Sequence, residues 1–230
     1  MKNTLVTLRP RLKGAADFVR KGNSAADIGT DHGYLAAYLV TEGICPFVTA
    51  ADIGEGPLNN ARETLRELGI EKKVKLVLSD GLKNIEPLSA EDIVIAGMGG
   101  TLIAGILSRC DWIKNKGVRL ILQPMSHAED VREYLYTNGF SVIEEKCVCD
   151  TGRDYCIICA EYTGENTENI AGLKYIGKLL DCKNDVAQRI IFRTKGHLER
   201  RLEALKEAGR NFEEQAEITE SLEFFYEKNL

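Results

Sequence analysis

The chain lacks any apolar run near the ~20 residues that a bilayer-spanning helix requires. Residues 1–11 also lack the apolar stretch of a signal peptide, so a cytoplasmic location with no membrane partner is expected. An even complement of cysteines is missing too. The seven present (Cys45, Cys110, Cys147, Cys149, Cys156, Cys159 and Cys182) are scattered through apolar segments, which argues for reduced, buried thiols and against a disulfide framework. Internal repeats and low-complexity tracts are absent. Residues 213–227 contain six glutamates and no base, and the net charge of −5 counts against a general polyanion binder.

What is present fits a globular chain of 230 residues, 44% apolar and 28% charged, long enough for one α/β domain and a smaller appendage. Positive charge is local. Residues 1–25 hold Lys2, Arg9, Arg11, Lys13, Arg20 and Lys21 against Asp17 alone. Residues 189–201 hold Arg189, Arg193, Lys195, Arg200 and Arg201 against Glu199. Such stretches are either solvated helix faces or a basic surface for nucleic acid.

Apolar spacing predicts a basic amphipathic helix over residues 5–20. Short apolar strands are predicted at 24–28, 47–51, 74–78, 92–96 and 118–123. Helices are predicted between them at 34–40, 55–68, 101–107 and 128–138, with Gly69 and Gly139 as terminators. Residues 140–148 and 155–162 read as a hairpin about Asp150-Thr151-Gly152-Arg153. Strands alternating with helices predict a doubly wound, mostly parallel α/β sheet with an antiparallel edge. Residues 1–163 form this domain, and 164–230 form a helical one after a polar linker. In the latter, Leu198, Leu202, Leu205, Phe212, Ala216 and Leu222 fit a helical hairpin or short coiled coil, with Gly209 and Thr219 as weak positions, or equally an amphipathic face packed on the main domain.

In such a sheet, ligands bind beyond the carboxyl ends of the strands. The strongest local pattern lies there: Ala26-Asp27-Ile28-Gly29-Thr30-Asp31-His32-Gly33-Tyr34-Leu35, a strand, a tight turn and a helix start. A dinucleotide site places a bare glycine where Asp31 stands, and Asp27 and Asp31 would repel a pyrophosphate. Two acids suit a cationic ligand without phosphate, such as S-adenosylmethionine. Asp31 is alternatively the cap of the helix that follows. Asp52 ends the second strand, where an acid can hold ribose hydroxyls. Asp80-Gly81 ends the third, where an acid can accept from an adenine amine and a glycine lets the ring approach.

These residues together resemble the bacterial tRNA (adenine(22)-N1)-methyltransferase family. The resemblance covers most of the chain. It rests on Arg11-Leu12, the Asp27–Leu35 motif, Asp52 with Gly56-Pro57, Gly81-Leu82, Ile95-Ala96-Gly97-Met98-Gly99-Gly100 and Leu120-Ile121-Leu122-Gln123-Pro124. It implies a Rossmann-like methyltransferase domain, S-adenosylmethionine as donor, tRNA as partner, and a C-terminal coiled-coil-like region that helps hold the tRNA. Asp52 stands where relatives are expected to carry Glu, and either can hold ribose.

Donor binding is accordingly expected at Asp27, Gly29, Asp31, His32, Asp52, Asp80, Gly81, Gly97 and Met98. The acceptor is expected at Arg9, Arg11, Tyr34, Gly99, Gly100, Gln123 and Pro124, with the glycines leaving room for a flat base and donating amides. Asp31 is the candidate catalytic residue. Adenine N1 is already nucleophilic, and a carboxylate beside it would stabilise the cationic product or take a proton from N6. The alternative role for Asp31 is to orient the donor. Cys147-x-Cys149 and Cys156-x-x-Cys159 admit a zinc reading. Cys156 and Cys159 would face opposite sides of a strand, so no metal is expected. A small-molecule methyltransferase and a noncatalytic donor- or RNA-binding protein are the other readings of the same scaffold. Asp31 counts against a nicotinamide oxidoreductase. A monomer is mildly favoured over an oligomer.

Overall fold

The computed structural model describes residues 6–228 and 230. Seven strands form one sheet in the order β3-β2-β1-β4-β5-β7-β6: β1 (Ala25–Ile28), β2 (Val48–Asp52), β3 (Val74–Leu78), β4 (Asp92–Met98), β5 (Arg119–Pro124), β6 (Phe140–Asp150) and β7 (Arg153–Tyr162). The first five are parallel, and β7 runs antiparallel to both β5 and β6. Chain order runs outward from β1 to β3, then returns to β4 on the other side of β1. A crevice therefore opens above the carboxyl ends of β1 and β4, the usual ligand position in such sheets.

Side-chain alternation along the strands divides the interior in two. Ile93, Ile95, Leu120 and Leu122 face one layer, which includes α4 (Gly100–Ser108) and α5 (Ala128–Thr137). Val94 and Ile121 face the other, with α1 (Pro10–Ala16), α2 (Tyr34–Thr41) and α3 (Glu55–Leu68). Cys156 lies in the first layer and Cys159 in the second, so the two thiols sit on opposite faces of β7. All seven cysteines are free; five are buried, Cys182 is half-buried and Cys149 is exposed.

The first helix is shorter than the apolar spacing implies. Pro10 is its first residue and Arg9 is extended, so the helix begins where a missing N–H does no harm. It stops after Ala16. The expected start at Leu5, and Lys2 of the basic run, lie outside the described residues. Of the other bases, Lys13 pairs with Asp17, and Arg20 pairs with buried Asp92 at 2.5 Å.

The C-terminal segment forms α6 (Ile170–Ile176), α7 (Asp185–Glu207) and α8 (Phe212–Glu227). The seam expected across both long helices is broken. Gly209 and Asn211 take positive φ between α7 and α8, which resets the helical phase. Leu198, Leu202 and Leu205 are buried as expected, but Phe212 is 73% exposed and Ala216 is exposed. Leu222 is buried as expected, and Ile218 and Phe225 replace Phe212 and Ala216 on the inner face of α8, in the same apolar cluster as Ile93 and Leu120. No helix among the described residues is long and apolar enough to cross a membrane.

One buried ion pair ties these helices to the sheet. Arg132 of α5 donates from Nε and Nη2 to the two oxygens of Glu145 on β6, both at 2.8 Å. Its Nη1 donates to the carbonyls of Lys174 and Tyr175, at 3.2 Å each, near the end of α6, where helix carbonyls lack intrahelical partners. Both side chains are almost wholly buried. Arg132→Ala would strand Glu145 and two carbonyls, and should cost about 3–5 kcal/mol by urea denaturation. A loss under about 1 kcal/mol would show that the junction does not depend on the pair.

Candidate active site

The turn from β1 to α2 is built on left-handed backbone. Gly29, Asp31 and Gly33 have φ of 80°, 49° and 71°. A Cβ at Gly29 would run into Met98 Cε, and one at Gly33 would press on Ala61. Both glycines therefore meet a conformational and a steric demand. Asp31 is the one non-glycine residue of the three, and Asp tolerates this region better than most. The helix that follows is capped by Gly33 with no side-chain bond. Asp31 therefore does not cap α2. Its carboxylate is 68% exposed, 3.7 Å from His32 Nε2.

Asp27 lies beneath the turn. Thr30 Oγ1 donates to its Oδ2 at 2.6 Å. Burial pushes its carboxyl up to about 6, against hydrogen bonds from Thr30 and the Ala36 backbone that favour the anion, with Asp52 raising it further. Asp52, at the end of β2, accepts the Gly54 N–H at 2.9 Å and, more loosely, the Asp31 N–H at 3.4 Å. One carboxylate thus links the turns after β1 and β2. His32 and Tyr34 stack with ring centroids 5.4 Å apart and planes 10° from parallel.

These elements enclose a cleft of about 590 Å³ at the crevice between β1 and β4. Of the expected residues, Asp27, Gly29, Asp31, His32, Gly97, Arg9, Arg11 and Tyr34 line it. The fourth strand contributes Ala96 and Gly97. Acids thus stand on the β1 side and arginines on the α1 side.

Other expected residues are placed differently. Gly100 is buried against the loop after β5: its N–H donates to Ser126 O at 2.7 Å, and a Cβ there would strike the His127 carbonyl. The Gly97 N–H donates to Gln123 Oε1 at 3.1 Å. These two amides are therefore not free for a base, and Gly100 leaves no space for one; its small size serves close packing instead. Gly99 caps α4 next to Ser126. Gln123 is fully buried, and its Nε2 donates to Pro124 O at 2.9 Å; Pro124 is buried as well. Asp80 lies in a smaller cavity of about 260 Å³ with Lys83 and Ile106, its carboxylate paired with Arg109 at 3.2 Å. Gly81 packs its backbone on Ile106, and Met98 sits over Gly29. In the basic stretch of α7, Arg189 and Arg193 share Asp154, and Arg201 pairs with Glu214.

Sequence reasoning missed Thr30, Arg109 and Asp150. Thr30 was detectable as the hydroxyl three residues after Asp27 in a turn. Arg109 and Asp150 act through partners distant in sequence. Among the described residues, no three potential ligands converge in the cysteine-rich hairpin; His127, Glu129 and Asp130 do so at the start of α5.

The unfolded Asp27 carboxyl titrates near 3.8 and the folded one at about 6, so the folded chain holds the extra proton in between. The stability supplied by this group is full below the lower value, falls as pH rises through the window, and stays lost above it. Asp27→Asn should therefore gain about 3 kcal/mol relative to the parent between about pH 4 and about pH 7, measured by denaturation. A constant difference across that range would contradict the burial of a titrating Asp27.

Residues 8–158 match the family described as Methyltransferase domain. The chain is 36% identical over 154 residues to the tRNA (adenine(22)-N(1))-methyltransferase of Bacillus subtilis, an alignment covering 67% of this chain and 65% of that relative. The crystal structure of the B. subtilis M1A22 tRNA methyltransferase TrmK superposes with a TM-score of 0.85 at 29% identity, over 96% of this chain and 98% of that one. Sp1610 of Streptococcus pneumoniae, solved in complex with S-adenosyl-L-methionine, superposes with a TM-score of 0.78 at 29% identity, over 94% and 100%. With a doubly wound sheet, an acid-lined crevice at its switch point and a matching profile over most of its length, the chain belongs to the methyltransferase domain family.

Proposed function

We propose that the chain transfers a methyl group from S-adenosylmethionine to N1 of an adenosine in tRNA, at position 22. The observation that carries this reading is the cleft itself. Two carboxylates, Asp27 and Asp31, stand where a phosphate-binding site needs bare amides, in a chain 36% identical to a tRNA (adenine(22)-N(1))-methyltransferase.

The residues fit the donor. Asp27 and Asp31 offer negative charge to an ammonium and a sulfonium, and Gly29 leaves the backbone bare beside them. Asp52 keeps acceptor capacity for ribose hydroxyls beyond its two N–H bonds. Asp80 and Gly81 keep the adenine role expected of them only if the donor reaches the smaller cavity, where Arg109 shares the Asp80 carboxylate. When bound, S-adenosylmethionine supplies an electrophilic methyl group on a positively charged sulfur.

Adenine N1 needs no base, so the protein's task is alignment and exclusion of water. Asp31, exposed in the cleft, supplies negative charge to the ring as it becomes cationic, or takes a proton from N6. Tyr34 and His32 form a flat stacked surface beside it. N1 lies on the pairing edge, so the target base must be unpaired or flipped out. Residues 1–163 carry the chemistry and 164–230 help hold the RNA, with Arg9 at the cleft mouth and Arg189 and Arg193 on α7 as phosphate contacts. A tRNA substrate puts this work in the cytoplasm.

Incubation with unmodified tRNA and labelled donor, followed by nucleoside analysis, should give N1-methyladenosine. Turnover of metabolites without tRNA methylation would favour a small-molecule enzyme, and donor uptake without transfer would favour a binding protein. Arg9→Ala should weaken tRNA binding and lower the slope of log affinity against log salt by about 0.7–0.9, the loss of one phosphate contact. An unchanged slope would remove Arg9 from the RNA surface.

A further inference from the structure

The site above leaves one buried charge unexplained. Asp150, the last residue of β6, is 3% exposed. Its Oδ2 is buried and has no hydrogen-bond partner among the described residues. Its one ion pair among the described residues is with Arg11, whose Nε lies 3.5 Å from that oxygen. Buried carboxylates left in this state are costly, and they persist where they have work to do.

The local structure delivers Asp150 to this point. Thr151 and Gly152 both take positive φ, the signature of a two-residue turn that matches strand twist and fixes register. Asp150 then pairs with Arg153 at the tip of the hairpin. Because β7 is antiparallel to β5, this tip lies at the carboxyl ends of the parallel strands, on the side of the cleft.

Helix α1 follows β6 residue by residue. Asp17 meets Lys146 at 3.4 Å, Gly14 packs on Val148, and Arg11 meets Asp150. The strand positions are two apart and the helix positions three apart, so each partner keeps to one face. Gly14 permits the approach: a Cβ there would lie 2.9 Å from Ile157 Cδ1. At the far end, Arg11 Nη1 donates to Gln123 Oε1 at 3.3 Å, on the oxygen that also receives the Gly97 N–H. Arg11 lines the cleft, and its contacts with Gln123 and Asp150 use Nη1 and Nε, not Nη2.

We propose that Asp150 is a positioning residue of the acceptor site, holding the Arg11 guanidinium against Gln123 at the mouth of the cleft and cancelling its charge. The identity of the acceptor rests on the functional reading above. A ring methylated at N1 becomes a cation, and an uncompensated guanidinium beside it would oppose that charge. The buried carboxylate removes the opposition while leaving Arg11 an N–H to donate to an acceptor atom of the target nucleotide. The 3.5 Å separation is loose, as in many unliganded sites, and shortens when substrate draws the guanidinium into place.

Steady-state methylation of unmodified tRNA at saturating donor tests this. Asp150→Asn, which keeps the shape and removes the charge, should lower kcat at least tenfold while the calorimetric Kd for S-adenosylmethionine stays within twofold. Asp150→Glu should fall between the two, and a Glu variant slower than the Asn variant overturns the charge-holding role. Adding Asp150→Asn to Arg11→Met should cause no further loss, because the pair acts as one unit. Wild-type kcat in Asp150→Asn, or losses that multiply in the double variant, overturns the proposal. The Arg11 Nε–H resonance, identified by its absence from the Arg11→Met spectrum, should shift in Asp150→Asn. Should the parent chain methylate no tRNA, the functional reading fails, and this resonance still decides the pair: an unmoved signal overturns it.

Discussion

The buried carboxylate of Asp27 is the constraint on which the site turns. It accepts from Thr30 and from the backbone of Ala36, so it joins the end of β1, the turn and the start of α2. The same burial makes its charge expensive, which is why its carboxyl titrates at about 6. A cation in the cleft would offset that expense and a phosphate would deepen it. The proposed selection of the ligand's sign rests on the element that shapes the turn. Asp52, bonded to both the β1 and β2 turns, extends this frame.

Two further ties connect the rest of the chain to that frame. Along the hairpin, α1 is drawn onto β6 through Asp17, Gly14 and Arg11, which places Arg9 and Arg11 at the cleft. On the opposite layer, Arg132 joins α5, β6 and the end of α6, so the C-terminal helices share an apolar cluster with the sheet. The hairpin takes part in both. A strand pair at the sheet edge therefore couples α1 and the C-terminal helices to the cleft.

Local signals carried much of this architecture. Apolar alternation and terminating glycines located the five parallel strands to within two residues at each end, and α3 and β3 matched to the residue. The acids at the ends of β1, β2 and β3 were legible because strand ends in a parallel sheet converge. Pairings between residues far apart in sequence were not legible. Nothing near Gly100 announces the His127 carbonyl that fills the space beside it, and nothing near Asp80 announces Arg109. Gln123 reads as a polar strand-end residue open to a ligand, yet its amide is consumed by Gly97, Arg11 and Pro124. The C-terminal seam was legible in part: Leu198, Leu202, Leu205 and Leu222 are buried, while Gly209 and Asn211 reset the phase, so Phe212 turns outward.

In the proposed function, the crevice takes a positively charged sulfur donor in preference to a phosphate-bearing cofactor. Titration calorimetry on the purified chain measures this directly, with S-adenosylmethionine, its demethylated product and NAD as separate ligands. The first two should be taken up and the third should not. Tight uptake of NAD, with no heat from either of the others, would contradict it.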